Sequence, residues 1–596
     1  MRLLFACLAV VLIAAPLAAR ADELAAVIAD YDAFVAADDP FAAADQGDLA
    51  ARARLPDVSP AADAARRTRL ETLQARLKTL PAPADAEARL NRDMLAWIVD
   101  DRLQSLAFDE ARMPFSSDGG FHTTLGYVAG ATRLADEAAA TAWIARLRAL
   151  PAYYAANIAN ARRGVKSRFT QPAMTTQAVL DLARRQAAAP VKGDVLLTPL
   201  ATMTAAIPPA RQAALRAEAA DVIGDQVRPA QRDFVRFLER EYLPASRPAL
   251  AARSLPDGEA YYRWLVRRHT TTNLSPDEIH ALGEREVARI RGEMDAAMAQ
   301  TGFKGDFPAF LAMLRSDPRF YATSRQDLLE KASEIAKRID DQLPHWFATL
   351  PRLTYGVRPV PADIEATYTT GRYFPGNPTL GIAGGYMVNT SKLDQRALYE
   401  LPALTLHEAV PGHHLQIALA QELTGAPQFR RDAGFSAFTE GWGLYAEKLG
   451  VEIGVYRDPY ERFGRLSYEM WRACRLVADT GLHWLGWSLD QAKACFVRNS
   501  ALSPLNIDVE VARYVSWPGQ ALAYKVGELD ILDLRRRAER ELGPRFDIRR
   551  FHDAVLSAGA LPLDLLDARI DAWIAAEKAR GWSAGGEDPG SALVRP

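Results

Sequence analysis

From Asp22 to about Tyr242, apolar residues recur every three and four positions, as in Leu70-Leu73-Leu77-Leu80 and Leu90-Met94-Ile98. Ala, Leu, Arg and Glu dominate the stretch. A 3.6-residue period kept up by good helix formers over this length commits the chain to packed amphipathic helices. Pro81-Ala82-Pro83, Gly119-Gly120 and Pro208-Pro209 punctuate them. Pro244, Pro248 and Pro256 mark a seam, so a helical region over 22–250 and a second region over 251–596 are expected, joined in one continuous fold. No internal repeat of fixed period interrupts the pattern. At 596 residues the chain has room for about two to four domains. Its 49% hydrophobic and 24% charged residues are the balance of an ordinary globular protein. A net charge of -2 leaves no basic surplus to neutralise phosphates, so no nucleic-acid partner is expected.

The first residues read as an address. Met1-Arg2 is followed by an apolar run from Leu3 to Leu17 and by Ala19-Arg20-Ala21, a small-x-small cleavage site. That is a secretory signal peptide over 1–21. The run is shorter than the roughly 20 residues needed to span a bilayer. No other long apolar run exists, so a periplasmic or secreted protein without a stable membrane span is expected. Cys474 and Cys495 remain after cleavage. Export permits a disulfide between them, and two buried thiols are the alternative. No C-x-x-C spacing suggests a metal site.

The second region opens on Ser275-Pro276-Asp277-Glu278, a capping box that predicts a helix to about Met298. The texture then changes. Tyr355–Val360, Ile364–Tyr368 and Gly384–Thr390 read as short strands, and helices resume from about Leu393. The expected class is mainly α, with a small β-sheet just before a histidine cluster.

That cluster carries the chemistry. Of nine histidines, three fall in Leu406-His407-Glu408-Ala409-Val410-Pro411-Gly412-His413-His414. Neutral imidazoles bind zinc, and a Glu beside the first ligand can act as general base toward water. The usual spacing is H-E-x-x-H, which sets both rings on one helical face. Here Pro occupies the position of the second His. His413 is six residues beyond His407, about 120° off the face of an unbroken helix, and His414 lies roughly 10.5 Å further along the axis. Pro411 removes an amide and Gly412 relaxes the backbone, so the helix must bulge or break. An excursion there can restore the register for His407 and His413. The metal set expected is His407, His413 and Glu440, with one zinc per chain and Glu408 as base. Glu440 comes from Thr439-Glu440-Gly441-Trp442-Gly443 on the next helix, where the glycines allow close approach. Glu447, two turns on, is expected to orient a ligand imidazole.

With these motifs on the page, the chain resembles the bacterial domain-of-unknown-function 885 proteins, a family regarded as zincin-like metallopeptidases. The resemblance is strongest from about Gly258 onward. It is carried by Tyr261-Tyr262 with Thr270-Thr271-Thr272, Ser275 to His280, Tyr386 to Thr390, the His407 to His414 segment and Glu440-Gly441-Trp442. Asp479-Thr480-Gly481-Leu482-His483 and Trp517-Pro518-Gly519-Gln520-Ala521-Leu522-Ala523-Tyr524-Lys525 complete it. It implies a large multi-helix zinc peptidase fold in an exported setting, and it favours His413 over His414 as ligand.

The expected function is therefore zinc-dependent hydrolysis of small or unfolded peptides. A zinc amidase acting on a modified or non-peptide amide is one alternative, and a non-catalytic helical metal-binding protein is another. Tyr524 is the first choice of oxyanion donor, before Tyr514 and His483. Asp479, four residues before His483, is expected to hold that imidazole. Tyr386 and Asn389 belong to a strand expected at the sheet edge, where an extended substrate pairs with main chain. His414, Gln520 and Lys525 are expected to line the site. Arg358, Arg372, Arg513 and Lys525 are the candidates for a substrate carboxylate.

Overall fold

Polar caps fix where many helices begin. Ser59, Asp85, Asp136, Ser488 and Ser503 each accept an N–H of the first turn, which has no partner within the helix. The Ser275 capping box forms as well, with Pro276 leading a helix Pro276–Gln300, two residues longer than the pattern suggests. The computed structural model describes residues 23–117, 119–361, 365, 368–378 and 381–580. The signal peptide expected over 1–21 lies outside them. The described residues are mainly helical with two small sheets, and none of their helices is long and apolar enough to cross a membrane.

The chain divides into two compact units. The first takes the described residues of Met1–Ser316 with Ala426–Asp432 and Leu466–Ala523. The seam expected near residue 250 falls inside it. Tyr261 and Trp264, just past that seam, pack with Phe108, and Tyr261 packs with Phe169, so apolar burial ties the two sides together. The main core of this unit gathers Phe115, Phe121, Trp143, Leu147, Phe234 and Tyr242 around the long helix Glu137–Ser167. Cys474 and Cys495 are joined in a disulfide, with Cα atoms 5.6 Å apart.

The second unit takes Asp317–Gly425, Ala433–Arg465 and the described residues from Tyr524 onward. It holds a three-stranded sheet of β1 (Tyr355–Pro359), β2 (Gly371–Phe374) and β3 (Gly384–Val388). The order is β1-β3-β2, with β3 parallel to β1 and antiparallel to β2. Two of the expected strands form. The one expected over Ile364–Tyr368 falls largely outside the described residues, and β2 was not anticipated. The expectation that the Tyr386 strand lies at the edge is corrected: β3 is central, its main chain paired on both sides. Tyr386 is fully buried, its hydroxyl 3.3 Å from Thr405 Oγ1. Asn389 uses its amide to bind the carbonyls of Glu365, Tyr368 and Thr369, so it holds a loop. Four helices matter below: α1 (Leu401–Glu408), α2 (His413–Gln421), α3 (Ser436–Ile453) and α4 (Ala523–Leu542).

Candidate metal centre

Helix α1 stops at Glu408. Ala409 (φ -98, ψ -112) and Gly412 (φ -75, ψ -128) leave helical geometry. Pro411 has no amide with which to continue the ladder. A Cβ on Gly412 would sit 2.0 Å from the His407 carbonyl oxygen, so only glycine fits this return of the chain. The Trp442 indole donates to the Pro411 carbonyl at 2.7 Å, and the His414 N–H donates to the Ala409 carbonyl at 3.0 Å. The interruption is a full break, and α2 restarts with His413 as its first residue. The rings of His407 and His413 then lie 4.6 Å apart and nearly perpendicular.

Helix α3 supplies the carboxylates. Gly443 lies against the His407 ring, where a Cβ would come within 2.6 Å. Gly441 does the same against the main chain of Gly527 on α4, at 2.4 Å. These contacts let Glu440 reach both rings: its Oε2 is 3.3 Å from His407 Nε2 and 3.5 Å from His413 Nε2. The three donor atoms all lie within 4.8 Å of one another, and no other such group of three or more occurs among the described residues. A tetrahedral ion with bonds near 2.05 Å spaces its ligand atoms about 3.3 Å apart. The donor set and its spacing therefore fit a divalent ion such as zinc. Exposure rises from 4% at the His407 side chain through 12% at His413 to 22% at Glu440.

The far nitrogen of His407 donates to Glu447 Oε1 at 2.8 Å, which fixes the tautomer and leaves Nε2 for a ligand. Gln416, which donates to the Thr439 carbonyl, also stands 3.1 Å from His413 Nδ1. Burial disfavours charge on His407, but hydrogen bonds from its ring to Glu440 and Glu447, with Glu408 nearby, push it up to about 9. Burial likewise opposes charge on Glu440, yet the two imidazoles hold it well below the usual carboxylate range. The field that keeps a proton on His407 is the field that attracts a cation. Glu408, almost fully buried, accepts the Tyr373 N–H of β2 at 2.7 Å.

His414 is turned elsewhere. Its Nε2 donates to the Leu353 carbonyl, Nδ1 accepts from the Tyr373 hydroxyl, and burial lowers it to about 4. Tyr524 lies half-buried in the first turn of α4, and it stands with Glu408 among the groups near enough to Arg372 to raise it. Lys525 is fully buried and paired with Glu528 at 2.8 Å.

His483, Asp479, Tyr514 and Gln520 belong to the first unit. The His483 ring, expected to take part in catalysis, is held by main chain on both sides: its Nδ1 accepts from the Ala252 N–H and its Nε2 donates to the Tyr514 carbonyl. Burial lowers it to about 3, so the ring stays neutral and closed off. Asp479 does not hold it. The carboxylate accepts instead from the Tyr262 hydroxyl and the Gly519 N–H. Tyr514 donates to Glu510 and accepts from Trp471 and Arg475. Gln520 accepts from Arg513, whose guanidinium also pairs with Glu510. Sequence reasoning missed Tyr373, whose main chain fixes Glu408 and whose side chain fixes His414. The only signal was its place in a short aromatic stretch ahead of the motif.

Residues 40–570 match the family described as "Bacterial protein of unknown function (DUF885)", and the chain belongs to that family. No curated protein matches the sequence. A solved structure described as a "putative lipoprotein" from Colwellia psychrerythraea is 26% identical, covering 88% of this chain and 93% of its own, at a TM-score of 0.84. A second, a "putative lipoprotein of unknown function" from Shewanella oneidensis, is 18% identical over 91% of this chain and 99% of its own, at a TM-score of 0.72, and shares the fold.

Proposed function

We propose that this member of the family is an exported, metal-dependent hydrolase that cleaves amide bonds in peptides. The observation that carries the reading is the His407/His413/Glu440 triangle with Glu408 beside it. A zinc ion held by that triangle would polarise the scissile carbonyl and acidify water at the site. Everything else falls to the chain. Glu447 keeps the His407 ring in the ligand tautomer. Glu408, held by the Tyr373 amide, takes the proton of the attacking water and passes it to the leaving nitrogen. Tyr524 donates to the developing oxyanion. Strand β2 lies at the edge of its sheet and touches Glu408 through Tyr373, so an extended peptide pairs there and not along β3. The Cys474–Cys495 disulfide suits an oxidising compartment and supports export, as do the lipoprotein descriptions of the similar structures.

A structural metal site would close all four coordination positions and need no base. A carboxylate third ligand that is partly exposed and an adjacent Glu favour catalysis. The test is a peptide-library digest by zinc-loaded wild type and Glu408→Gln. Wild type is expected to cleave, and the variant to retain metal and lose about a thousandfold or more in turnover. Equal turnover in both proteins removes Glu408 as base.

A further inference from the structure

The sheet beside Glu408 carries an unusual charge. Four cations were candidates for a substrate carboxylate. Lys525 is neutralised by Glu528, and Arg513 by Glu510. Arg358 and Arg372 have no ion-pair partner among the described residues. Register places Arg358, Met387 and Arg372 in one row across β1, β3 and β2. Side chains alternate along a strand, so this row stands on the face opposite Tyr373 and Tyr386. On that face Gly356 and Gly385 leave bare main chain, with the Arg358 guanidinium 3.5 to 3.8 Å from where their Cβ atoms would be. Phe374, 41% exposed, borders it on β2.

Of the two cations, Arg372 is on the strand that touches Glu408. It is the chain neighbour of Tyr373, whose N–H binds that carboxylate. Burial works against its charge, but Tyr368, Glu408 and Tyr524 outweigh that and hold it above the ordinary value. Arg358 sits two strands away. Glu408 and Glu440 make the centre repulsive to an anion, so a peptide ending in a carboxylate needs a nearby cation that no protein acid already occupies. A guanidinium offers a two-pronged fit to such a group.

We propose that Arg372 binds the free C-terminal carboxylate of the substrate, so that the enzyme takes short peptides from their carboxyl end. This rests on the reading of the centre as a peptide hydrolase. The test measures binding apart from turnover. Acetyl-Ala-Ala-Ala and its C-terminal amide are titrated calorimetrically into zinc-loaded Glu408→Gln protein, alone and combined with Arg372→Met or Arg372→Lys. The acid is expected to bind on the order of tenfold to a hundredfold tighter than the amide. Arg372→Met is expected to abolish that preference by weakening the acid alone, and Arg372→Lys to keep part of it. Equal binding of acid and amide, or a preference that survives Arg372→Met, overturns the proposal. Wild-type protein that cleaves neither peptide nor any library member overturns the hydrolase reading instead, and the binding comparison still judges Arg372.

Discussion

His407 and His483 are both buried imidazoles with an acid within four residues in sequence, Glu408 and Asp479, and the fold treats them in opposite ways. His407 commits one nitrogen to Glu447 and turns the other toward a second carboxylate and a second imidazole. His483 commits both nitrogens to main chain. The first arrangement brings His407 Nε2 and Glu440 Oε2 within 3.3 Å of each other beside the His413 ring, donor atoms that a cation could share. The second satisfies every polar atom, which is what a buried core requires. Burial and nearby acids do not mark a site by themselves. What sets His407 apart is the convergence of donor atoms from three side chains.

The sharpest way to break this contrast is a pair of substitutions. His413→Ala is expected to lose the metal and about a thousandfold or more of peptide hydrolysis. His483→Ala is expected to cost about 3 kcal/mol of stability through a cavity and two unmet main-chain groups, with metal content unchanged. Metal loss in His483→Ala, by plasma mass spectrometry, would place both imidazoles in one function. Next in size is the disulfide of the first unit. Its 21-residue separation predicts that Cys474→Ser with Cys495→Ser lowers stability by about 3 kcal/mol in urea titration. An unchanged midpoint would mean that the bond does not constrain the unfolded chain.

Gly443→Ala sharpens the first region. Its new methyl meets the His407 ring at 2.6 to 2.9 Å, so a loss of about 1 to 3 kcal/mol and weaker zinc binding are expected. Zinc affinity equal to wild type would show that the ring position is not set by this contact. Asp479→Asn sharpens the second. Burial raises Asp479 from the usual carboxylate range to about 7, against the hydrogen bonds from Tyr262 and Gly519. A folded-state value raised above the unfolded one makes stability highest below about pH 4 and erodes it as pH rises through about 7. Melting curves between pH 5 and pH 8 are expected to fall less steeply in Asp479→Asn than in wild type, and parallel curves would refute the shift.

The helical class was legible because Leu70-Leu73-Leu77 and similar rows repeat over many turns. The convergence of His407, His413 and Glu440 was legible because Pro411-Gly412 announces a break, and a break is what lets residues six apart turn their rings toward one point. Strand β2 was not, since Gly-Arg-Tyr-Phe is too short to show alternation. Without it, β3 looked like an edge. Asp479 and His483 misled for a local reason: Gly481–Leu485 winds as a π-turn, which rotates His483 off the face that a spacing of four implies in an α-helix.

Metal content decides whether His407, His413 and Glu440 hold an ion. After purification in zinc, wild type and Glu408→Gln are each expected to hold about one ion per chain, and Glu440→Ala to hold almost none. Equal zinc in Glu440→Ala and wild type, with the variant folded, would contradict the His407/His413/Glu440 centre.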